Sequence, residues 1–332
     1  MKPRLVDDVH FVPRPDGVFV LVASRPEPGF ALRGPRTYEW LRRIAPFLTG
    51  EHTLDDLVDT LDEARRARIR ALVEALHSGG AVRDAAGDLP HSLPAGIRER
   101  YAQVIGFVGR TADSPEHRFQ RYRECDPVVV GSGQLVAPLV QALLTTGVAA
   151  VRVVLTAERP TDLGRMRQCL ALVGPDAQDR VRVSTRTVTD ALAAGWGGIL
   201  HVCETPMLAR GDRLAALGAA HGRVFGQAAV VGDVALVGPV GAAGQLRTGW
   251  AAQLGQLVAG DTGEVPDRPD DPVSGYLAGP TAAVVANHLC AAVLKQVTGV
   301  PTAATEQFVE VELETLRATV RPVGATVLAT AG

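Results

Sequence analysis

The chain has 332 residues, enough for two or three domains. Hydrophobic residues make up 46% and charged residues 21%, which supplies folded cores and excludes a wholly disordered chain. With 34 Lys and Arg against 36 Asp and Glu, the net charge of −2 excludes a broadly polycationic nucleic-acid binder.

In chain order, the opening MKPRLVDDVH meets charge at once and lacks the apolar centre of a signal peptide. No apolar run reaches about 18 residues, so no membrane span is expected and a cytoplasmic location is. VHFVPRPDGVFVLVAS then gives two alternating apolar runs around Pro15-Asp16-Gly17, which predicts a hairpin. GFAL at 29–32 predicts a third strand. Pro35 opens a helix with Tyr38, Leu41, Ile44 and Leu48 at helical spacing. Thr53 before LDDLVDTL predicts a cap for a second helix, with Asp56 three residues on. A third helix runs from about Glu63 to His77, burying Ile69, Leu72, Val73 and Leu76, and Gly79-Gly80 stop it. AVRD returns to extended structure. Three strands, three helices and a trailing strand over residues 1–90 form a winged-helix-like α+β pattern.

A connector rich in Asp, Pro, Arg and Gly follows, and VIGFVG is its one apolar stretch. Residues 91–125 are read as a linker. From Asp126 the pattern is α/β. PVVVGSGQLVAPLVQALLTTG predicts a buried strand, a glycine turn and a helix, and AAVRVVLT a second strand. A helix at 161–173, the strand VRVST, an alanine-rich helix and the strand GGILHVCE come next. A helix at 209–220, strands through RVFGQAAVVGDVALVGPV, a long helix and two closing strands complete a domain over 126–332. Strands alternating with helices predict a mainly parallel sheet.

Gly131-Ser132-Gly133 follows a strand and opens a helix, the place where backbone N–H groups suit phosphate. Val136 stands where a dinucleotide loop has its third glycine, and Glu158 is the one acid near the end of the second strand. The loop therefore reads as a working nucleotide site, an inherited loop that no longer holds nucleotide, or an unrelated turn. His201 and Cys203 alternate on one strand and can share a face. The four cysteines form no CxxC pair and read as buried thiols, and His288 reads as an interior residue. There is no GxSxG and no HExxH. Arg65, Arg66, Arg68 and Arg70 crowd one helix, as a solvated face or as a dock for an acidic segment. Residues 1–90 hold 13 Lys and Arg against 14 Asp and Glu, which counts against DNA.

The stretch FALRGPRTYEWLRRIAPFLTGEHTLDDLVDTL, continued by RIRALVEALHSGGAVRD, resembles the PqqD-like recognition domain of ribosomal peptide natural-product pathways. VGSGQLVAPLVQALLTTGVAAVRVVL, ILHVCETPMLARGDRLAALGAAHGRVF and VALVGPVGAAG resemble the ThiF-like, Rossmann-type domain, in the diverged form that partners YcaO cyclodehydratases. The chain departs from active ThiF-like adenylating enzymes. Asp162-Leu163-Gly164-Arg165-Met166-Arg167-Gln168 lacks the family's Asn, and no lysine lies between Lys2 and Lys295. The family's cysteine stretch is here Gly244 to Trp250, and its closing Cys-x-x-Cys is missing. The resemblance implies a non-catalytic partner protein without zinc or catalytic residues. ATP would belong to the partner enzyme, which turns Cys, Ser or Thr of a core peptide into azolines. The leader of the precursor would add to the edge Phe30, Ala31, Leu32 and Arg33, against a wall of Arg65, Arg68, Ile69 and Leu72. Gly131, Ser132 and Gly133 would be a vestigial nucleotide loop. Nucleic acid and membrane are not expected partners, and alanine-rich helices would supply a homodimer interface. Active adenylation and winged-helix transcriptional regulation remain the alternatives.

Overall fold

The computed structural model describes residues 1–23, 29–185, 188, 197–205, 207–246 and 273–323. The chain divides into two compact units, Met1–Gln120 and Arg121–Gly332.

In the first unit β1 is Pro3–Leu5, β2 Val9–Arg14, β3 Gly17–Val22 and β4 Gly29–Arg33. The helices α1 (Thr37–Ile44), α2 (Leu54–Val58) and α3 (Glu63–Ser78) follow, and then β5 (Val82–Asp84). β2, β3 and β4 form an antiparallel sheet in that order, and β5 pairs antiparallel with β1. Alternation in β3 puts Val18, Val20 and Val22 into the core. Leu41 and Ile44 of α1 meet them there, as do Ile69, Val73 and Leu76 of α3. Each such buried side chain contributes roughly 1.5–3 kcal/mol relative to exposure. The expected cap of α2 is a complete capping box. The Asp56 amide donates to Thr53 Oγ1 (3.1 Å), and the Thr53 amide donates to Asp56 Oδ2 (2.9 Å). Asp62 caps α3 by accepting from the Arg65 amide at 2.8 Å.

The stretch read as a linker is helical: α4 is Ala95–Arg100, α5 Ala102–Gly109 and α6 Pro115–Arg123. Tyr101 and Phe119 stack with centroids 5.4 Å apart. Polar ties fix the stretch to the strands before it. Arg4 pairs with Glu116 at 2.5 Å, and Arg83 grips both Asp88 oxygens at 2.7 Å. The Ser114 amide donates to Asp88 (3.0 Å), and the Leu89 amide to the Ser114 hydroxyl (2.9 Å). Partners this far apart in sequence leave no local pattern, and so composition alone gives a linker.

The second unit is built on eight strands: β6 (Pro127–Gly131), β7 (Val151–Leu155), β8 (Val181–Ser184), β9 (Gly198–Cys203), β10 (Val224–Val231), β11 (Val234–Ala242), β12 (Gln307–Glu312) and β13 (Ala318–Pro322). Their order is β13-β12-β11-β10-β9-β6-β7-β8. The five from β10 to β8 are parallel and β11 to β13 are antiparallel. Its helices are α7 (Val136–Thr145), α8 (Leu163–Val173), α9 (Leu208–Ala220) and α10 (Gly279–Thr298). α7 packs against α8 and α10, and α9 packs against β9 and β10. The expected alanine-rich helix before β9 lies outside the described residues, as do residues 247–250 and the end of the chain. Among the described residues, no helix is long and apolar enough to cross a membrane.

Candidate functional site

The first unit presents a strand edge. β4 pairs only with β3 among the described residues, so its other side is an unpaired edge. Phe30 and Leu32 turn toward the core, and Ala31 and Arg33 are exposed, with Arg33 3.5 Å from Asp16. Two contacts fix this strand against α3. Near its end Arg68 Nη2 donates to the Pro35 carbonyl at 2.7 Å. At its start the Phe30 ring lies on Gly79, where any Cβ would strike it. From Arg68 to Gly79, eleven helical steps span about 16 Å. From Phe30 to Pro35, five extended steps span about the same. Strand and helix therefore run side by side along their common length.

On α3, Arg65, Arg68 and Leu72 lie at spacings of three and four, on the flank of the core stripe. Arg65 is held by Asp62 at 3.2 Å, and Arg68 stands 5.5 Å over the Trp40 ring. Leu72 is half-buried. Ile69, expected on the wall, is 7% exposed and belongs to the core with Val73 and Leu76. The helical period turns position 69 inward with 73 and 76, as the spacing of the apolar residues predicts.

The second unit holds the glycine loop. The sequence order of the parallel strands reverses between β6 and β9, and ligands of such sheets bind beyond the strand ends at that point. Gly131 ends β6, Ser132 is buried, and Gly133 has φ +80°. A side chain at Gly133 would overlap the Glu204 carboxyl, which is 6% exposed and follows β9. Glu204 accepts from the Gln134 amide, and the Leu135 amide also favours its anion. Thr161 Oγ1 accepts from the Gly133 amide at 2.9 Å, and Arg165 Nη1 reaches the Gln134 side chain at 3.2 Å. Burial pushes the Glu204 carboxyl above its ordinary range, against these amides and the Arg159 and Arg165 charges. The donors that would cradle a phosphate are thus engaged by the chain's own oxygens.

Beside the loop lies a cavity of about 690 Å³, lined by Val154, Glu158, Thr161, Arg210, Arg213 and Leu214 among others. Glu158, the one acid available for a ribose, is paired with Arg210. Burial would raise the Glu158 carboxyl, but the hydrogen bond and charge of Arg210 hold it down to about 2. His201 is 1% exposed, and neither ring nitrogen has a hydrogen-bond partner. Burial, then the Arg210 charge, push its pKa down to about 4, against a smaller opposing contribution from Gln227. Cys203 is buried too, and no metal-holding group of three or more His, Cys, Asp or Glu occurs among the described residues. All four cysteines are free. Cys203 and Cys290 are buried, but Cys125 and Cys169 are only partly so, which corrects the expectation of four buried thiols. His288 is half-buried, and burial lowers its pKa.

Glu204, Thr161 and Arg210 were not legible as site residues. The signal was an acid directly after the strand beyond the reversal, and only the strand order shows that position.

No protein-family model and no curated protein sequence matches the chain. Solved structures do resemble it. A crystal structure of PaaA matches with a TM-score of 0.64 and 13% identity, covering 96% of this chain and 99% of that one. Escherichia coli MccB with MccA-N7isoASN matches at 0.61 and 12% identity over the full length of both chains. A heterocyclase in complex with substrate and cofactor matches at 0.55 and 16% identity, covering 97% of this chain but 38% of that one. At such identities the likeness is one of fold. The chain has a mixed α/β fold of the kind seen in MccB, with a Rossmann-like central sheet that carries the glycine loop.

Proposed function

We propose that the chain captures the leader of a ribosomal precursor peptide and presents it to a YcaO-type cyclodehydratase, without doing chemistry of its own. The observation that carries this reading is the free edge of β4 running beside the α3 flank. An extended peptide adds to such an edge through main-chain hydrogen bonds, and alternate side chains enter the groove. The apolar part of the groove is Leu72 with the half-buried Phe30 and Leu32, and the charged part is Arg65 and Arg68. Tethering raises the core peptide's local concentration at the partner, commonly towards the millimolar range for short linkers. The fold neighbours support a setting of this kind, since MccB is crystallised with MccA and the heterocyclase with a substrate.

ATP-dependent adenylation is the second reading, favoured by the fold likeness to MccB, which is also crystallised with ATP. Glu204 on the loop amides and the lack of a nearby lysine oppose it. Purified chain incubated with Mg-ATP and precursor peptide decides between them. The presenting role predicts no adenylated peptide and no ATP turnover until the cyclodehydratase is added. Turnover by the chain alone would transfer the assignment to the adenylating enzyme.

A further inference from the structure

The charges at one end of the β4 edge are unevenly paired. Arg33, Arg36, Arg65 and Arg68 are all exposed there. Arg33 pairs with Asp16, Arg36 with Glu39 at 2.8 Å, and Arg65 with Asp62. Arg68 has no carboxylate partner among the described residues, and it reaches the Pro35 carbonyl and the Trp40 ring instead. From Arg68 the flank of α3 continues through Leu72 and Ala75 to Gly79, at spacings of four, three and four, and these three are half-buried. The wall beside β4 is therefore one unpaired cation followed by an apolar stretch, which the Phe30 ring closes at Gly79. Seven helical steps from Arg68 to Ala75 span about 10.5 Å. Three extended steps from Pro35 back to Leu32 span about 10 Å. Leu32 thus stands level with Ala75, as Phe30 does with Gly79. Phe30 and Leu32 turn to the core side of the sheet. Strand residues opposite them, and one opposite Gly34, would face α3 as well.

We infer that the peptide taken by this edge carries an acidic residue followed, two and four positions later, by two apolar ones. This rests on the reading of β4 as the peptide edge. The acid lies opposite Gly34 and pairs with Arg68. The first apolar residue lies opposite Leu32 and covers Leu72 and Ala75. The second lies opposite Phe30 and covers its ring beside Gly79. The order acid-x-apolar-x-apolar follows from chain direction. Both existing pairings of this sheet are antiparallel, and an added strand that continues the pattern runs from Gly34 towards Phe30. A slip of one residue would turn the acid and both apolar residues away from α3, so the wall fixes register as well as composition.

The test titrates the full chain into fluorescein-labelled synthetic peptides with threonine flanks. Their cores are Glu-Thr-Leu-Thr-Phe, the reversed Phe-Thr-Leu-Thr-Glu and the broken alternation Glu-Leu-Thr-Phe-Thr. Anisotropy should show the first binding at least about tenfold tighter than the other two. NMR amide shifts at Phe30, Ala31, Leu32 and Arg33 should move as it saturates. Arg68→Glu should weaken the first peptide at least about tenfold. The same variant should bind a Lys-Thr-Leu-Thr-Phe peptide more tightly than the parent does, a gain that loss of the Pro35 contact alone would not produce. The inference is overturned if no peptide binds or if Arg68→Glu gains nothing with the lysine peptide. Equal binding of the three cores with shifts at these β4 amides would overturn it too, and would leave β4 standing as a peptide edge. Binding of any of them with shifts confined to other elements would remove the edge reading itself, and the inference with it.

Discussion

Glu204 decides what the glycine loop can accept. Its carboxyl occupies the space above Gly133 and takes the Gln134 amide, so an incoming phosphate meets oxygen where it needs N–H. Glu204→Ala should free those amides beside Arg159 and Arg165. Inorganic pyrophosphate should then bind at least roughly tenfold tighter than to the parent, as restoring one charge-assisted hydrogen bond predicts. Calorimetry checks this, and equal heats for parent and variant would show that Glu204 does not block the loop. His201 gives a second residue-scale prediction. Its folded pKa of about 4 lies below the ordinary 6.5, so it folds in the neutral form. Between these values the unfolded chain binds a proton that the fold refuses. Stability is therefore complete above pH 6.5 and declines as pH falls toward 4. The full loss is about 3 kcal/mol, from about 1.4 kcal/mol per pH unit of separation. Melting curves from pH 7 to pH 5 should slope for the parent and run flatter for His201→Leu. Parallel curves would rule out His201 as the source.

Strand and helix patterns carried most elements into view. The alternation of β3, the Thr53 cap and the glycine stop after α3 are local devices, and local devices can be read from sequence. The position of β4 beside α3 is not local. It depends on Arg68 reaching Pro35 across 33 residues and on Phe30 resting on Gly79. The same limit hid α4, α5 and α6, whose ties run from Arg4 to Glu116 and from Asp88 to Ser114. Residues 1–90 therefore lack partners that the unit needs. A fragment cut after residue 90 leaves Arg4 without its carboxylate partner, although the Arg4 side chain is largely shielded from water. It should unfold at lower urea than a fragment of residues 1–120, with a difference of at least about 2 kcal/mol. Coincident unfolding midpoints would contradict this view of the helical segment.

Across the molecule, the order of strands and helices was legible because the central parallel strands β6 and β9 are short apolar runs set off by turns. The reversal between β6 and β9 was not, because strand order is a property of the assembled sheet. That reversal puts the Glu204 carboxyl on the glycine loop, beside Gly133 and on the Gln134 amide. Two candidate sites thus lie on separate units: the unpaired edge of β4, which the proposed function assigns to a peptide, and the glycine loop, whose Gln134 amide is taken by Glu204. Fluorescence anisotropy of a labelled leader peptide against the full chain tests that separation most directly. Arg68→Glu should weaken binding about ten- to a hundredfold, because it reverses charge at the groove and cuts the link to Pro35. Val136→Gly, in the first turn after the loop, should bind as the parent does. Loss of binding in Val136→Gly with none in Arg68→Glu would contradict the account and move the peptide site to the second unit.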